Sequence, residues 1–167
     1  MNQSNALPDN IVFRKATLAD AKEITHVYLV SRKKLLAYAP LAHSDDDIFK
    51  WIQNTLIPTN QVTVVEKSDH IIGMMALSKN QGIGWIDQLY LLPTCVACGI
   101  GTQLINIAKD TLGSPIRLHT FQENIQAQQF YEKHAFSIIA LSDGSTNEEH
   151  CPDMLYEWTT EIDKSPY

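Results

Sequence analysis

No apolar run in this chain of 167 residues reaches the roughly 20 needed to span a bilayer, so no membrane segment is expected. A basic cluster is also missing. Lys and Arg number 13 against 19 Asp and Glu, the net charge is −6, and only Arg32-Lys33-Lys34 groups cations together. Binding to a phosphate backbone needs a cationic footprint, which leaves nucleic acid an unexpected partner. An acidic balance suits a cationic ligand, and it equally suits plain solubility. Cysteine is scarce and odd in number, 3 in all. That argues against a secreted disulfide framework and for a reducing cytoplasm. The opening "MNQSNALPDN" has neither the basic nor the apolar segment of a secretory signal, so none is expected. Repeats, low-complexity tracts and linkers are absent too. The apolar content of 44% fits one globular domain. Residues 1–10 are expected as a flexible N-terminus, 11–160 as the domain and 161–167 as a tail.

The order of elements follows from periodicity. "IVFRKA" (11–16) reads as a strand. Thr17 and Asp20 form a capping-box start for a helix with Ile24, Val27, Tyr28, Ser31 and Leu35 at helical spacing. Ser44 caps a second helix with Asp45, Asp46 and Asp47 in its first turn, an apolar face of Ile48, Trp51, Ile52 and Leu56, and Pro58 as its end. "QVTVVEK" (61–67) and "IIGMMALS" (71–78) read as an antiparallel hairpin, and "GWIDQLYLLP" (84–93) as a fourth strand. A helix over Ile100, Leu104, Ala108 and Leu112 ends at Gly113. "PIRLHTF" (115–121), the helix after Asn124, "FSIIAL" (136–141) and "MLYEWT" (154–159) complete the chain. The fold class expected is α/β, β-α-α-β-β-β-α-β-α-β-β, with a mixed sheet of about seven strands flanked by helices. The crossover after the fourth strand makes it parallel to the fifth.

The stretch "TCVACGIGTQLI" (94–105) carries two incompatible chemistries. Cys95 and Cys98 have the spacing of a redox dithiol or half a zinc site. Zinc would need two more ligands, for which His150-Cys151 is the available pair. Gly99 and Gly101, directly after a strand and opening an amphipathic helix, instead suit an anion site of unpaired N–H groups at a helix N-terminus. The dinucleotide fingerprint is incomplete, because position 104 is Leu. The Walker lysine is missing, because Thr102-Gln103 stands in its place. No metal is expected, and the cysteines read as small turn fillers.

Here the sequence resembles a known family. Val96-Ala97-Cys98-Gly99-Ile100-Gly101 is similar to motif A, Gln/Arg-x-x-Gly-x-Gly/Ala, of the GNAT superfamily of N-acetyltransferases. "ENIQAQQFYEKHAF" resembles that family's Asn-x-x-Ala-x-x-Phe-Tyr-x-x-x-Gly-Phe at Asn124, Ala127, Phe130, Tyr131 and Phe136. Element order agrees over 11–159. "WIDQLYLLP", "TFQEN" and "DGSTNEEHCPDMLYEW" resemble an uncharacterised subgroup. Two residues depart from the pattern. Val96 replaces Gln/Arg, removing a side-chain contact but no backbone donor, and Ala135 replaces Gly before Phe136.

The resemblance implies acetyl-CoA as donor and an amine of a small molecule or peptide as acceptor, with dimerisation through a sheet edge common among such proteins. A non-catalytic acyl-CoA-binding or sensor domain and a dithiol redox protein are the competing readings. It further implies that Val96, Ala97, Cys98, Gly99, Ile100, Gly101 and Thr102 hold the coenzyme's pyrophosphate. Backbone groups around Leu89 and Leu91 would bind pantetheine and polarise the acetyl carbonyl, Asn124, Ala127 and Phe130 would line the same path, and Tyr131 would be the general acid for the departing sulfur. Asp87 draws attention on its own. Strand alternation places it with Trp85, Leu89 and Leu91 on one face, and a carboxylate among apolar groups is costly unless paired or functional. It is either a general base, a contact for the acceptor's charge, or a partner of Arg117. Gln122, Glu148, Glu149 and His43 are the remaining candidates for the acceptor side. Phe49 and Trp51 read as core.

Overall fold

The computed structural model describes residues 7, 8 and 10–160. Residues 1–6, 9 and 161–167 lie outside the described residues, and with them most of the two expected flexible ends. Leu7, inside the stretch expected to fray, packs against the core. The elements are β1 (Ile11–Lys15), α1 (Ala21–Leu35), α2 (Asp45–Trp51), α3 (Ile57–Thr59), β2 (Gln61–Lys67), β3 (His70–Asn80), β4 (Ile83–Leu91), α4 (Ile100–Leu112), β5 (Ile116–Phe121), α5 (Ile125–Lys133), β6 (Ser137–Ser142) and β7 (Asp153–Trp158). All seven strands form one sheet in the order β1-β2-β3-β4-β5-β7-β6, antiparallel throughout except where β4 meets β5. This is the mixed α/β sheet that periodicity predicts.

Each face of the sheet carries its own core. Ile100, Leu104, Ile105, Ala108 and Leu112 of α4 recur at three- and four-residue spacing and pack with Met75, Leu77, Ile86 and Tyr131. On the opposite face, Ile24, Val27 and Tyr28 of α1 and Ile48 and Ile52 pack on Val62, Val64 and Met74. Leu104 is fully buried, and truncating such a residue to alanine costs about 2–5 kcal/mol. Ser44 accepts from the Asp47 N–H and caps α2 as expected. The helical run does end beside Pro58, at Thr59, but it is not one regular helix. The chain continues through a π turn, Ile52–Leu56, into α3. A proline nitrogen donates no hydrogen bond, so the ladder widens one turn upstream and absorbs the missing donor.

Two irregularities in β4 shape everything that follows. Ala76 of β3 pairs with Gln88 while Leu77 pairs with Ile86, leaving Asp87 as the extra residue of a β-bulge. Side-chain alternation therefore slips. Ile86, Leu89 and Leu91 all pack on the α4 face, and Tyr90 packs on the α1 face. The expectation that Trp85, Asp87, Leu89 and Leu91 share one face is corrected by this bulge. The second irregularity is that β4 and β5 pair only at Gly84–Ile116 and Trp85–Arg117. Beyond those two rungs the strands are no longer paired, and the sheet opens.

Candidate active site

The opening between β4 and β5 belongs to a cavity of about 860 Å³ that runs from one face of the sheet to the other. Its walls include Asp87 to Leu91 of β4 and His119 to Phe121 of β5. On the α4 side they include Val96, Ala97, Gly99, Gly101, Thr102, Asn124, Ala127, Phe130 and Tyr131. On the α1 side they include Tyr28, Arg32, His43, Trp51, Glu148 and Glu149. Most residues singled out from sequence thus meet in one groove.

The turn into α4 is built for close approach. Gly99 is the N-cap in a left-handed conformation (φ 83°), and no side chain caps the helix behind it. The first N–H groups of α4 therefore keep their donors for something else. Gly101 is needed for a different reason. A Cβ there would lie 3.0 Å from Phe130 Cζ, so glycine lets α5 press against the start of α4. Thr102 Oγ1 lies 3.1 Å from His134 Nε2. Burial and the nearby Lys109 and Lys133 push that imidazole's pKa down. Asn124 caps α5 by accepting from the Ala127 N–H at 3.1 Å. Cys98 is exposed and Ile100 is fully buried, and neither is among the residues that line the groove. Cys95, Cys98 and Cys151 are free thiols, and among the described residues no group of three or more His, Cys, Asp or Glu could hold a metal.

A family model described as the acetyltransferase (GNAT) family matches residues 26–136, more than half of the sequence. The chain belongs to the GNAT family. Solved GNAT-like folds agree with this. The PaiA N-acetyltransferase of Thermoplasma acidophilum, in complex with coenzyme A, shares 20% identity at a TM-score of 0.72, covering 90% of this chain and 99% of that one. The apo form of YjaB from Escherichia coli gives 19% and 0.71, with 89% and 97% covered. A GCN5-related N-acetyltransferase from Rhodopseudomonas palustris gives 15% and 0.73, with 93% and 98% covered. At such identities the likeness is one of fold. No curated protein matches the sequence.

In this GNAT chain Tyr131 is 8% exposed, walled by Phe130, Phe136 and Tyr156 at ring separations of 5.3, 5.8 and 6.1 Å. Burial lifts its pKa far above the ordinary phenol value, so it keeps its proton at neutral pH. Asp87 differs from expectation in its surroundings. It is exposed rather than buried, it accepts from Asn60 Nδ2 at 2.8 Å, and Ser78 also bonds to it. Crowding by the chain around the bulge still raises its pKa above the usual carboxylate range. Arg117 is not its partner, because that guanidinium pairs with Glu157 at 2.7 Å. Gln122 is corrected as well. It does not line the groove, and its amide donates to the Ser142 and Asp153 carbonyls. Trp51, expected in the core, is half-buried on the groove wall, edge-on to Tyr28.

Sequence reasoning missed Arg32 and Tyr90. Arg32 looks like part of a surface cluster with Lys33 and Lys34, yet it is 5% exposed and pairs with Glu149 at 2.9 Å. Its position four residues after Tyr28, on the apolar face of α1, was the available signal. Together with His43 bonded to Glu148 at 3.1 Å and the Cys151 thiol donating to the Tyr38 carbonyl, this pair fastens the β6–β7 loop across the α1–α2 connection. The exposed His43–Glu148 contact adds little stability. The buried Arg32 pair is the fastening that matters.

Proposed function

We propose that this protein is an acetyl-CoA-dependent N-acetyltransferase that transfers acetyl directly to a primary amine of a small molecule or peptide. One observation carries the reading. The left-handed glycine turn opens an uncapped helix N-terminus into the same groove that holds Tyr131 and Asp87. The groove also fits the coenzyme in size and lining, at about 860 Å³ with Ala97, Gly99, Gly101 and Thr102 in its wall.

In this reading the amides from Ala97 to Thr102 hold the coenzyme's diphosphate at the positive end of α4. Val96 contributes backbone alone, and Leu89, Leu91, Asn124, Ala127 and Phe130 line the pantetheine path. Bound acetyl-CoA supplies the acetyl group as an activated thioester. Asp87, with its raised pKa, takes a proton from the acceptor ammonium, or else binds its charge. A Lys-like amine of pKa about 10.4 must lose that proton before it can attack. Tyr131 donates a hydrogen bond to the departing sulfur, and the proton that the nitrogen sheds as the amide forms passes to that sulfur, so CoA leaves as the thiol. A thiolate of pKa about 8.5 is a weaker base than a phenolate above 10, so the phenol's own proton is shared rather than surrendered. Glu148, Glu149 and His43 border the acceptor side, where carboxylates suit an amine. The free thiols fit a reducing cytoplasm, and edge strand β6, with Ile138, Ile139 and Leu141 exposed, fits a homodimer.

The test is acetyl-CoA turnover against a panel of amines, repeated with Tyr131→Phe and Asp87→Asn. The reading expects steady CoA release that both substitutions reduce while calorimetric affinity for acetyl-CoA stays unchanged. Binding without turnover for every amine would instead indicate a non-catalytic acyl-CoA sensor.

A further inference from the structure

Tyr90 stands on β4 at the mouth of the sheet opening, and the reading above gives it no role. The bulge at Asp87 turns its side chain to the α1 face, while Tyr131 reaches the same cavity from the α4 face. The ring of Tyr90 is fixed edge-on against Tyr28 at 5.0 Å. Its hydroxyl meets the Arg32 guanidinium, which is held in turn by Glu149 and lies over the rings of Tyr28 (6.0 Å) and Phe121 (5.6 Å).

A guanidinium only donates hydrogen bonds. In its contact with Arg32 the Tyr90 oxygen must therefore be the acceptor, and the phenol's own proton points elsewhere. Among the described residues none accepts that proton. A cation at the oxygen also strengthens the phenol as a donor. Tyr90 thus offers an unspent, charge-reinforced O–H to the groove from the acceptor side. A neutral amine has no use for such a donor, because its single lone pair is needed for attack. The acyl carbonyl oxygen does, since negative charge develops there.

We infer that Tyr90 is a second donor for the acyl group: its hydroxyl, fixed by Arg32 and Glu149, hydrogen-bonds the carbonyl oxygen of bound acetyl-CoA. Tyr90 keeps its proton throughout. Tyr131 serves the sulfur, and Tyr90 serves the oxygen. Arg32 and Glu149 are positioning residues. This inference rests on the acetyltransferase reading, and the two can fail separately.

The experiment uses acetyl-CoA carrying ¹³C at the thioester carbonyl, bound to the parent chain, to Tyr90→Phe and to Arg32→Lys, with isotope-edited infrared spectra of each complex. Calorimetry first establishes that the parent binds acetyl-CoA. Failure at that step overturns the acetyltransferase reading and this inference with it. With binding in hand, the expected result is a carbonyl band displaced to lower frequency than in solution for the parent. It should return part of the way in Tyr90→Phe and lie between in Arg32→Lys. Tyr90→Phe keeps the ring contact with Tyr28, so a cooperative thermal transition like the parent's is expected. For any amine found to be acetylated, kcat should fall about 10²-fold, the loss typical of removing one such donor, with KM for acetyl-CoA within twofold. A band that does not move in Tyr90→Phe, or turnover within twofold of the parent, overturns the assignment and leaves the acetyltransferase reading standing.

Discussion

Replacing Gly101 by alanine would set a methyl group 3.0 Å from Phe130 Cζ and 3.1 Å from Cε2, closer than packed carbons normally sit. Something must give, and the backbone of α4 is tied down by the fully buried Ile100 and Leu104 on either side. The Phe130 ring is half-buried and lines the groove, so the ring moves. Overpacking costs about 1–3 kcal/mol when nothing relaxes. Against this, alanine is better than glycine in a helix by about 1 kcal/mol. Folding stability should therefore stay within about 1 kcal/mol of the parent. Affinity for CoA should suffer more, because the displaced ring enters the groove along the proposed pantetheine path. A tenfold loss corresponds to about 1.4 kcal/mol, and at least that is expected. Calorimetric titration with CoA and urea unfolding measure the two quantities separately. The double variant Gly101→Ala with Phe130→Leu should regain part of the affinity, since the smaller side chain makes room. Gly101→Ala binding CoA as tightly as the parent, or a double variant that recovers nothing, would refute the reasoning.

Three further outcomes follow from particular residues. Ala135 adopts a left-handed conformation (φ 68°) at the end of α5, where Phe136 N–H bonds the Tyr131 carbonyl and Ala135 N–H that of Glu132. Since a left-handed Ala costs about 1–2 kcal/mol and glycine gives back about 0.4–1 of it in unfolded-chain entropy, Ala135→Gly should raise stability by up to about 1 kcal/mol. Differential scanning calorimetry should see this as a Tm rise of about 2–4 °C. Asp20 is held down to about pKa 2 chiefly by its hydrogen bonds to Arg14. A depressed carboxylate contributes stability above its unfolded pKa of 3.8 and loses it as pH falls toward 2, so Asp20→Asn should be less stable than the parent at pH 7 by about 1–2 kcal/mol, a figure discounted for the exposure of Arg14. Urea unfolding at pH 7 and pH 2.5 should show that gap closing. Asp87 has its pKa raised, so if it is the base, turnover climbs with pH through a limb above the ordinary carboxylate value; Asp87→Asn should erase that limb in a pH–rate profile.

What the sequence made legible was local. The run "QVTVVEK" becomes β2 over Gln61–Lys67, because consecutive β-branched residues suit a strand buried on both faces, with Val62 and Val64 in one core and Val65 in the other. Helix α4 ends at Gly113, which takes a positive φ as an end-glycine should. The departure at Ala135 lands on a position where the backbone does call for glycine. What stayed hidden was non-local. Strict alternation put Asp87 among Leu89 and Leu91, and only pairing with β3 reveals the extra residue that moves it away. That same slip turns Tyr90 to the acceptor face. Arg32 and Glu149 are 117 positions apart, and no local pattern announces their pairing. Gln122 was misread because its partners, the carbonyls of Ser142 and Asp153, lie on strands whose approach periodicity does not specify.

The central claim is that the amides opening α4 grip the diphosphate of coenzyme A. Amide NMR reads this directly, by adding CoA to the ¹⁵N-labelled chain and following each N–H. The account predicts saturable shifts that are largest at Gly99, Ile100, Gly101 and Thr102, where new hydrogen bonds to an anion would form. Saturable binding that leaves those four signals in place while moving others would contradict it.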